Sequence, residues 1–436
     1  GDPHYGINVT TGTLFWINIT DDCNLSYARV TYQIDTGCNG TVDSTENVGV
    51  FYDTDDIDVI SLQLNFSEEC CHRWRVRAYD EFGRDSGWFL SPWYRVDDTP
   101  PVTTEEIGSP KRRSGLFVTT DTPIWLNTTD ETTPCAVGCE YLHYEVWWDS
   151  DGDGTVDTLM ESGNESSNNV TLYFTETCYH EIWWYGVDFF GNNETIQVQG
   201  HYVDETPPVT THEFGVPYYT DGIDEWITTS TLIYLNATDK GPCQVGDYKI
   251  SYRVWDMVSG WNSWVTGSRN TNVTPSFSEE GQHYIEFFAE DYLGNEAPLQ
   301  NLSFYVDDTP PTTTKEYGSP FSVGAPVNWS GTGAGYVNHY ITLNTLIYLN
   351  ATDNCLGVNR TEYRVHRWNG SAFVLVQDWT VYTGPFNLSS IGDTHECLHR
   401  IRVRSYDTLG NAESAWSQYV MVDNTPPKTA KKIGTP

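Results

Sequence analysis

Apolar and polar residues alternate along this chain in short runs, and the same runs return. An early run reads LFWINITDD (Leu14–Asp22), PIWLNTTDE (Pro123–Glu131), LIYLNATDK (Leu232–Lys240) and LIYLNATDN (Leu346–Asn354). A second follows each time: VTYQI, LHYEVWW, ISYRVW and TEYRVHRW. A late run closes each set: HRWRVRAYDEFG (His72–Gly83), HEIWWYGVDFFG (His180–Gly191), HYIEFFAEDYLG (His283–Gly294) and HRIRVRSYDTLG (His399–Gly410). Period-two alternation in β-branched and aromatic residues predicts half-buried strands. The D-x-x-G ending predicts a tight turn, because Gly and Asn accept positive φ. No 3.6-residue period persists anywhere. Strand-sized runs about ten residues apart predict antiparallel two-sheet sandwiches.

A phrase marks the end of each set: VDDTPPVTTEEIGSP (Val96–Pro110), VDETPPVTTHEFGVP (Val203–Pro217), VDDTPPTTTKEYGSP (Val306–Pro320) and VDNTPPKTAKKIGTP (Val422–Pro436). From one Pro pair to the next the spacings are 107, 103 and 116 residues. That is one domain per repeat rather than a solenoid unit. A Pro pair disfavours helix and suits a stiff, extended joint. The expected domains are 1–98, 99–205, 206–308 and 309–424, with 425–436 as a C-terminal strand.

The order (Y)LNATD, YRVW, H-x-I-x-x-x-x-x-D-x-x-G-N and YVDDTPP-TT resembles the Ig-like domains strung in tandem on prokaryotic, especially archaeal, cell-surface proteins. The resemblance covers essentially the whole chain. It implies four tandem Ig-like antiparallel β-sandwich domains with Pro-Pro joints, in an adhesive, structural or spacer role. It names no catalytic residues.

Charge narrows the partners. In 436 residues, 60 Asp and Glu face 23 Lys and Arg, a net charge of −37. A nucleic-acid backbone or an anionic membrane surface needs clustered Lys and Arg, so both are excluded. No run of 18 apolar residues offers a membrane span. Ten Cys without zinc-type spacing point to disulfides and an oxidising compartment. Seventeen of the 28 Asn stand in Asn-X-Ser/Thr sequons: Asn8, Asn18, Asn24, Asn39, Asn65, Asn127, Asn164, Asn169, Asn193, Asn236, Asn272, Asn301, Asn328, Asn350, Asn359, Asn369 and Asn387. Chance would give roughly five, so a densely N-glycosylated extracellular chain is expected.

Cys23, Cys135, Cys243 and Cys355 follow the early run, while Cys70, Cys178 and Cys397 stand two residues before the shared His. Aligning the repeats suggests the pairs Cys23–Cys70, Cys135–Cys178 and Cys355–Cys397, each worth about 4 kcal/mol in the chain-entropy model. Gly281 at the partner position orphans Cys243. Cys38–Cys71 is expected within the first domain, and Cys139–Cys243 would be the remainder.

One motif carries metal chemistry. Asp149, Asp151, Asp153, Thr155 (through its carbonyl) and Asp157 alternate around Gly154, which suits a structural Ca²⁺ ion. Position 12 is Met160 rather than Glu, and the flanks are strand-like. Asp35–Asp43 is a decayed copy without an expected ion. The shared His reads as a packing or hydrogen-bonding residue rather than a ligand. Strands such as EIWWYG could form a carbohydrate platform, though a sandwich core accounts for them more simply.

The first domain lacks a leading strand, and the chain finishes on one with no domain behind it. That strand carries Lys428, Lys431, Lys432 and Ile433 where the second domain's has Glu105, Glu106 and Ile107. It is expected to complete the first domain of another copy by strand addition, giving a head-to-tail filament of identical subunits. Acidic residues of the first domain, among them Asp53, Asp55, Asp56 and Asp58, would steer it. The competing expectations are an adhesin or carbohydrate-binding stalk cut from a longer array, and a fragment of an enzyme. No nucleophile–base pair supports the last.

Overall fold

A computed structural model describes residues 5–22, 24–54, 58–130, 135–257, 259–329, 332–432 and 434. The protein is all-β, and among the described residues there is no α-helix. None is therefore long and apolar enough to cross a membrane, which says nothing of strands. The chain divides into two compact units. The first is Gly1–Pro208 with Asp239–Asp247 and Asp291–Asn295; the second is Val209–Thr238, Tyr248–Glu290 and Glu296–Pro436.

In the first unit, the larger sheet of the first repeat runs in the order Tyr5–Val9, Trp93–Val96, Cys70–Asp80, Leu25–Asp35, Ser44–Tyr52. Phe15–Thr20 and Val59–Leu64 form the smaller sheet. Alternation does what it predicts. Ala28, Val30, Tyr32 and Ile34 from one strand and Trp74 and Val76 from its neighbour meet Ile19, Ile60, Leu62 and Phe66 in one buried cluster. Burying such side chains contributes roughly 1.5–3 kcal/mol each. The second repeat repeats the plan with a six-stranded sheet over Val102–Ile107, Ile124–Thr129 and Asn169–Leu172. Its core is built on Leu126, Leu142, Val146, Ile182 and Trp184.

In the second unit, Ile233, Leu235, Ile250, Ile285, Phe287 and Phe304 fill the third repeat's core. Ile347, Leu349, Val365, Ile401, Val403 and Val420 fill the fourth's. Val209–Phe214 pairs with Ile233–Thr238, and Thr312–Tyr317 with Ile347–Thr352.

Two details differ from a purely antiparallel sandwich with identical repeats. One strand pair per repeat is parallel: Tyr5–Val9 with Trp93–Val96, Phe117–Val118 with Gln197–Val203, Glu225–Ile227 with Gln300–Val306, and Gly335–Ile341 with Trp416–Val422. In the last three repeats the chain crosses early from the smaller sheet to the larger one, and in all four the strand that enters the larger sheet runs beside the last strand in the same direction. Second, Ile124–Thr129 lies between Val102–Ile107 and Asn169–Leu172, whereas Phe15–Thr20 pairs only with Val59–Leu64 among the described residues. Among the described residues its other edge is unpaired.

Candidate cation sites and repeat joints

Strands Cys139–Trp148 and Thr158–Glu165 pair up to Trp148↔Thr158, which leaves residues 149–157 as a hairpin loop. Asp149 is buried beneath it. Its Oδ1 accepts from the amides of Gly152 (2.8 Å) and Asp153 (3.2 Å), and its Oδ2 from Gly154 (2.8 Å). Gly152 and Gly154 make this wrap with φ of 75° and 92°, which other residues rarely adopt. One carboxylate oxygen from each of Asp149, Asp151 and Asp153 falls within 4.8 Å of the others. Asp157 is occupied elsewhere. Its Oδ1 accepts from the Ser150 amide and Thr158 hydroxyl and its Oδ2 from the Ser150 hydroxyl, bonds that hold its carboxyl below the usual range. Thr155 donates its amide to Asp153 (2.8 Å). Three of the five expected ligands are thus brought together. Among the described residues no such cluster forms at Asp35–Asp43.

The alternation reading missed a second set of carboxylates, at the joints. Its signal was in plain view, since VD, TD and D-x-x-G-N each recur with the repeat. The Asp of the joint phrase accepts the amide of a residue in the following repeat: Asp97 from Val137 (2.8 Å), Asp204 from Val245 (2.6 Å) and Asp307 from Leu356 (3.2 Å). The late hairpins bring up Asp188, Asp291 and Asp407. Beside each, Asn192, Asn295 or Asn411 donates Nδ2 both to the hairpin carboxylate (2.7–2.8 Å) and to the carbonyl of Asp97 (3.2 Å), Asp204 (2.9 Å) or Asp307 (2.8 Å). The early run supplies Asp130, Asp239 and Asp353. At each joint an oxygen from all three acids lies within 4.8 Å. Burial pushes the carboxyls of Asp97, Asp239 and Asp307 up to about 6.

Disulfides also gather at the joints. Cys38–Cys71 forms as expected. The other expected pairings are corrected: Cys70 joins Cys135, and Cys178 joins Cys243. Strand length is the reason. Leu25 pairs with Asp80, at the far end of the eleven-residue strand that Cys70 begins. At about 3.3 Å per residue those ends are roughly 33 Å apart, and a disulfide spans under about 7 Å between Cα atoms. Cys139 likewise pairs with Asp188, and Val358 with Asp407, each at the wrong end of the strand for a bridge to Cys178 or Cys397. Cys139, Cys355 and Cys397 are free thiols, so Cys139–Cys243 and Cys355–Cys397 do not form. Cys23 lies outside the described residues.

None of the seventeen sequon Asn is buried; Asn127, Asn236 and Asn387 are half-buried and the rest exposed. Asn65 already donates its Nδ2 to the Thr11 carbonyl (2.9 Å). Lys428, Lys431 and Lys432 are exposed in a segment, 425–432, that joins no strand; Ile433 lies outside the described residues. The aromatic strands divide by face. Trp184 points into the core, while Trp183 lies outside and donates its ring N–H to Glu181 (2.8 Å). Outward arginines cover other rings, as Arg75 does Trp88 (3.8 Å) and Arg404 does Trp379 (4.1 Å).

The shared His is a core residue in the first two repeats. His72 and His180 are buried, and burial pushes both down to about 4. His399 instead pairs with buried Asp393 (2.6 Å).

No protein-family model matches the chain, and no curated protein matches it in sequence. Solved structures similar to it include the fibronectin(III)-like modules of Clostridium thermocellum CbhA (16% identity, TM-score 0.19, 46% of this chain and 91% of that one). A structure concerning host cell surface retention of a 1.5-MDa bacterial ice-binding adhesin is similar at 13% identity and TM-score 0.30, over 69% of this chain and 92% of that one. The FN1–FN3 domains of chicken CNTN1 are similar at 9% identity and TM-score 0.24, over 68% and 99%. At such values the fold assignment rests on the sheets described above.

Proposed function

We propose that the chain is a non-catalytic structural subunit of an extracellular, N-glycosylated surface appendage, assembled head to tail by strand addition. The observation that carries this reading is the edge of Phe15–Thr20 that is unpaired among the described residues. In the other three repeats that edge is filled by Val102–Ile107, Val209–Phe214 or Thr312–Tyr317. Lys428–Ile433 holds the same place after the Pro pair of the repeat phrase, and its described residues join no sheet.

The pairing Ile124↔Ile107, Trp125↔Glu106, Leu126↔Glu105 supplies a register. Transferred to two copies, it sets Ile433 against Phe15, Lys432 against Trp16 and Lys431 against Ile17. Trp16 is 71% exposed, and an ammonium beside it would gain a cation–π contact. The cysteines follow the same logic. Cys70 and Cys178 each bond to the next repeat's Cys, and the equivalent thiol of Cys397 is free. Its counterpart by sequence in another copy is Cys23. The hairpin of Asp149, Asp151 and Asp153 is proposed to hold a structural Ca²⁺ that stiffens the second repeat.

Purified chain should form fibres by negative-stain imaging, with a Cys23–Cys397 bridge between copies in non-reduced peptide maps. Deleting Thr425–Pro436 should leave dispersed rods. Fibres that persist without that segment, or full chain that never assembles, would refute the proposal.

A further inference from the structure

We infer that the three carboxylates converging at the second joint, Asp204, Asp239 and Asp291, are the ligands of a Ca²⁺ ion, and that the joints built on Asp97 and Asp307 hold one each in the same way. These sites are separate from the Asp149 hairpin and do not depend on head-to-tail assembly.

Three observations carry the inference. The first is an orphaned oxygen. Asp239 is 4% exposed, and its Oδ2 accepts the Gly246 amide (2.8 Å), yet its buried Oδ1 accepts no hydrogen bond. Leaving a buried carboxylate oxygen without a partner is costly, because it has lost its water and gained nothing. The equivalent Oδ1 of Asp353, at the third joint, is buried and unpartnered too. Two repeats that leave the same atom bare point to a ligand that binds it.

The second is charge. Among the described residues, no Lys, Arg or His forms an ion pair with Asp204, Asp239 or Asp291. Three clustered carboxylates away from water repel one another strongly unless a cation sits among them. The first repeat offers an internal contrast, because Arg84 takes the position that Asn192 and Asn295 hold in the next two. Its guanidinium donates to Asp80, the carboxylate equivalent to Asp291. A protein cation stands there where the other repeats have none.

The third is geometry. The oxygens lie within 4.8 Å of one another. One Ca²⁺ bonding each at about 2.4 Å would span such a set, and Ca²⁺ accepts an irregular cage of protein oxygens more readily than Mg²⁺ does. The three acids are also fixed from outside the cluster. The Val245 amide holds Asp204, the Gly246 amide holds Asp239, and Asn295 holds Asp291 (2.6–2.8 Å). Carboxylates held this firmly form a preorganised cage.

The test uses the whole chain, carrying D151N and D153N to silence the hairpin, stripped with EDTA and titrated calorimetrically with CaCl₂. That background should bind three ions, and adding D239N should remove one. The substituted side chain keeps a carbonyl oxygen for the Gly246 amide, so the fold should survive; far-UV circular dichroism checks this, and D353N at the third joint replaces it if it does not. Melting temperature gives an independent readout. D239N should raise it in EDTA, by relieving repulsion, and lower it in calcium, by losing the ion. An unchanged stoichiometry, an equal rise under both conditions, or magnesium binding as tightly as calcium would overturn the assignment.

Discussion

His72 should make the first repeat acid-sensitive, and replacing it by Phe should remove that sensitivity. The imidazole is fully buried, stacked on Tyr32 (5.4 Å between centroids) and edge-on to Phe66 (4.9 Å), and neither ring nitrogen has a hydrogen-bond partner. Burial lowers its pKa from 6.5 to about 4. A base whose folded pKa lies below its unfolded one binds more protons when unfolded, so stability falls as pH drops from about 6.5 to about 4 and levels off below. At pH 4.5 the unfolded chain is almost fully protonated at this site and the folded chain only partly. The difference is worth about 2.5 kcal/mol relative to pH 7.5. For a repeat of about 100 residues that is a shift of roughly 10–20 °C. Calorimetric scans of wild type and H72F at the two pH values isolate the effect. Acids such as Asp97, whose raised pKa acts in the opposite direction, contribute equally to both proteins and cancel. One transition should lose its acid destabilisation in H72F. Equal pH dependence in both proteins would show that this imidazole does not titrate as its surroundings require.

Two further outcomes test the core and the joints. Phe66 is fully buried against Trp74 (4.5 Å) and Phe15 (5.0 Å), so F66A should cost about 3–5 kcal/mol in the first repeat's transition, read by the same calorimetry. The Cys178–Cys243 bridge closes a separation of 65 residues, so replacing both by Ser should cost about 4 kcal/mol. Peptide maps of the unreduced protein should show it; finding Cys135–Cys178 instead would refute the register.

The sandwich was legible because alternation is a local property: every second residue of Leu25–Asp35 and Leu398–Asp407 faces a core, as the pattern requires. The hairpin loop was legible for the same reason, its acids lying within nine residues of sequence. The disulfides were not. Aligned repeats show that Cys70 and Cys23 belong to one domain, but not that an eleven-residue strand separates their positions. The joint carboxylates were hidden differently. Asp204, Asp239 and Asp291 are dispersed in sequence, and each alone reads as an N-cap-like or turn residue. Only the folded chain shows three turns converging. The shared His illustrates the limit of position as a guide: His72 has no polar partner, while His399 has Asp393, because only the fourth repeat places an acid there.

The joints are therefore more than stiff Pro pairs. Glu69 accepts from the Asp98 amide and Thr99 hydroxyl, and Glu280 does the same for Asp308 and Thr309. Each joint thus has a carboxylate that accepts an amide from the next repeat, and the first and third add a Glu side chain that pins the Thr-Pro-Pro turn. The first two joints add a disulfide. The third cannot, because Gly281 stands where Cys70 and Cys178 stand, and Cys355 is left free. If the bridges alone set joint strength, the Asp307 joint would be the weak point as long as the other two stay oxidised, and chelation would change nothing. If the carboxylates and their ions carry it, reduction leaves all three joints nearly equal and chelation weakens them together. The repetition of the acids at every joint, against the loss of the cysteine at one, favours the second order of importance.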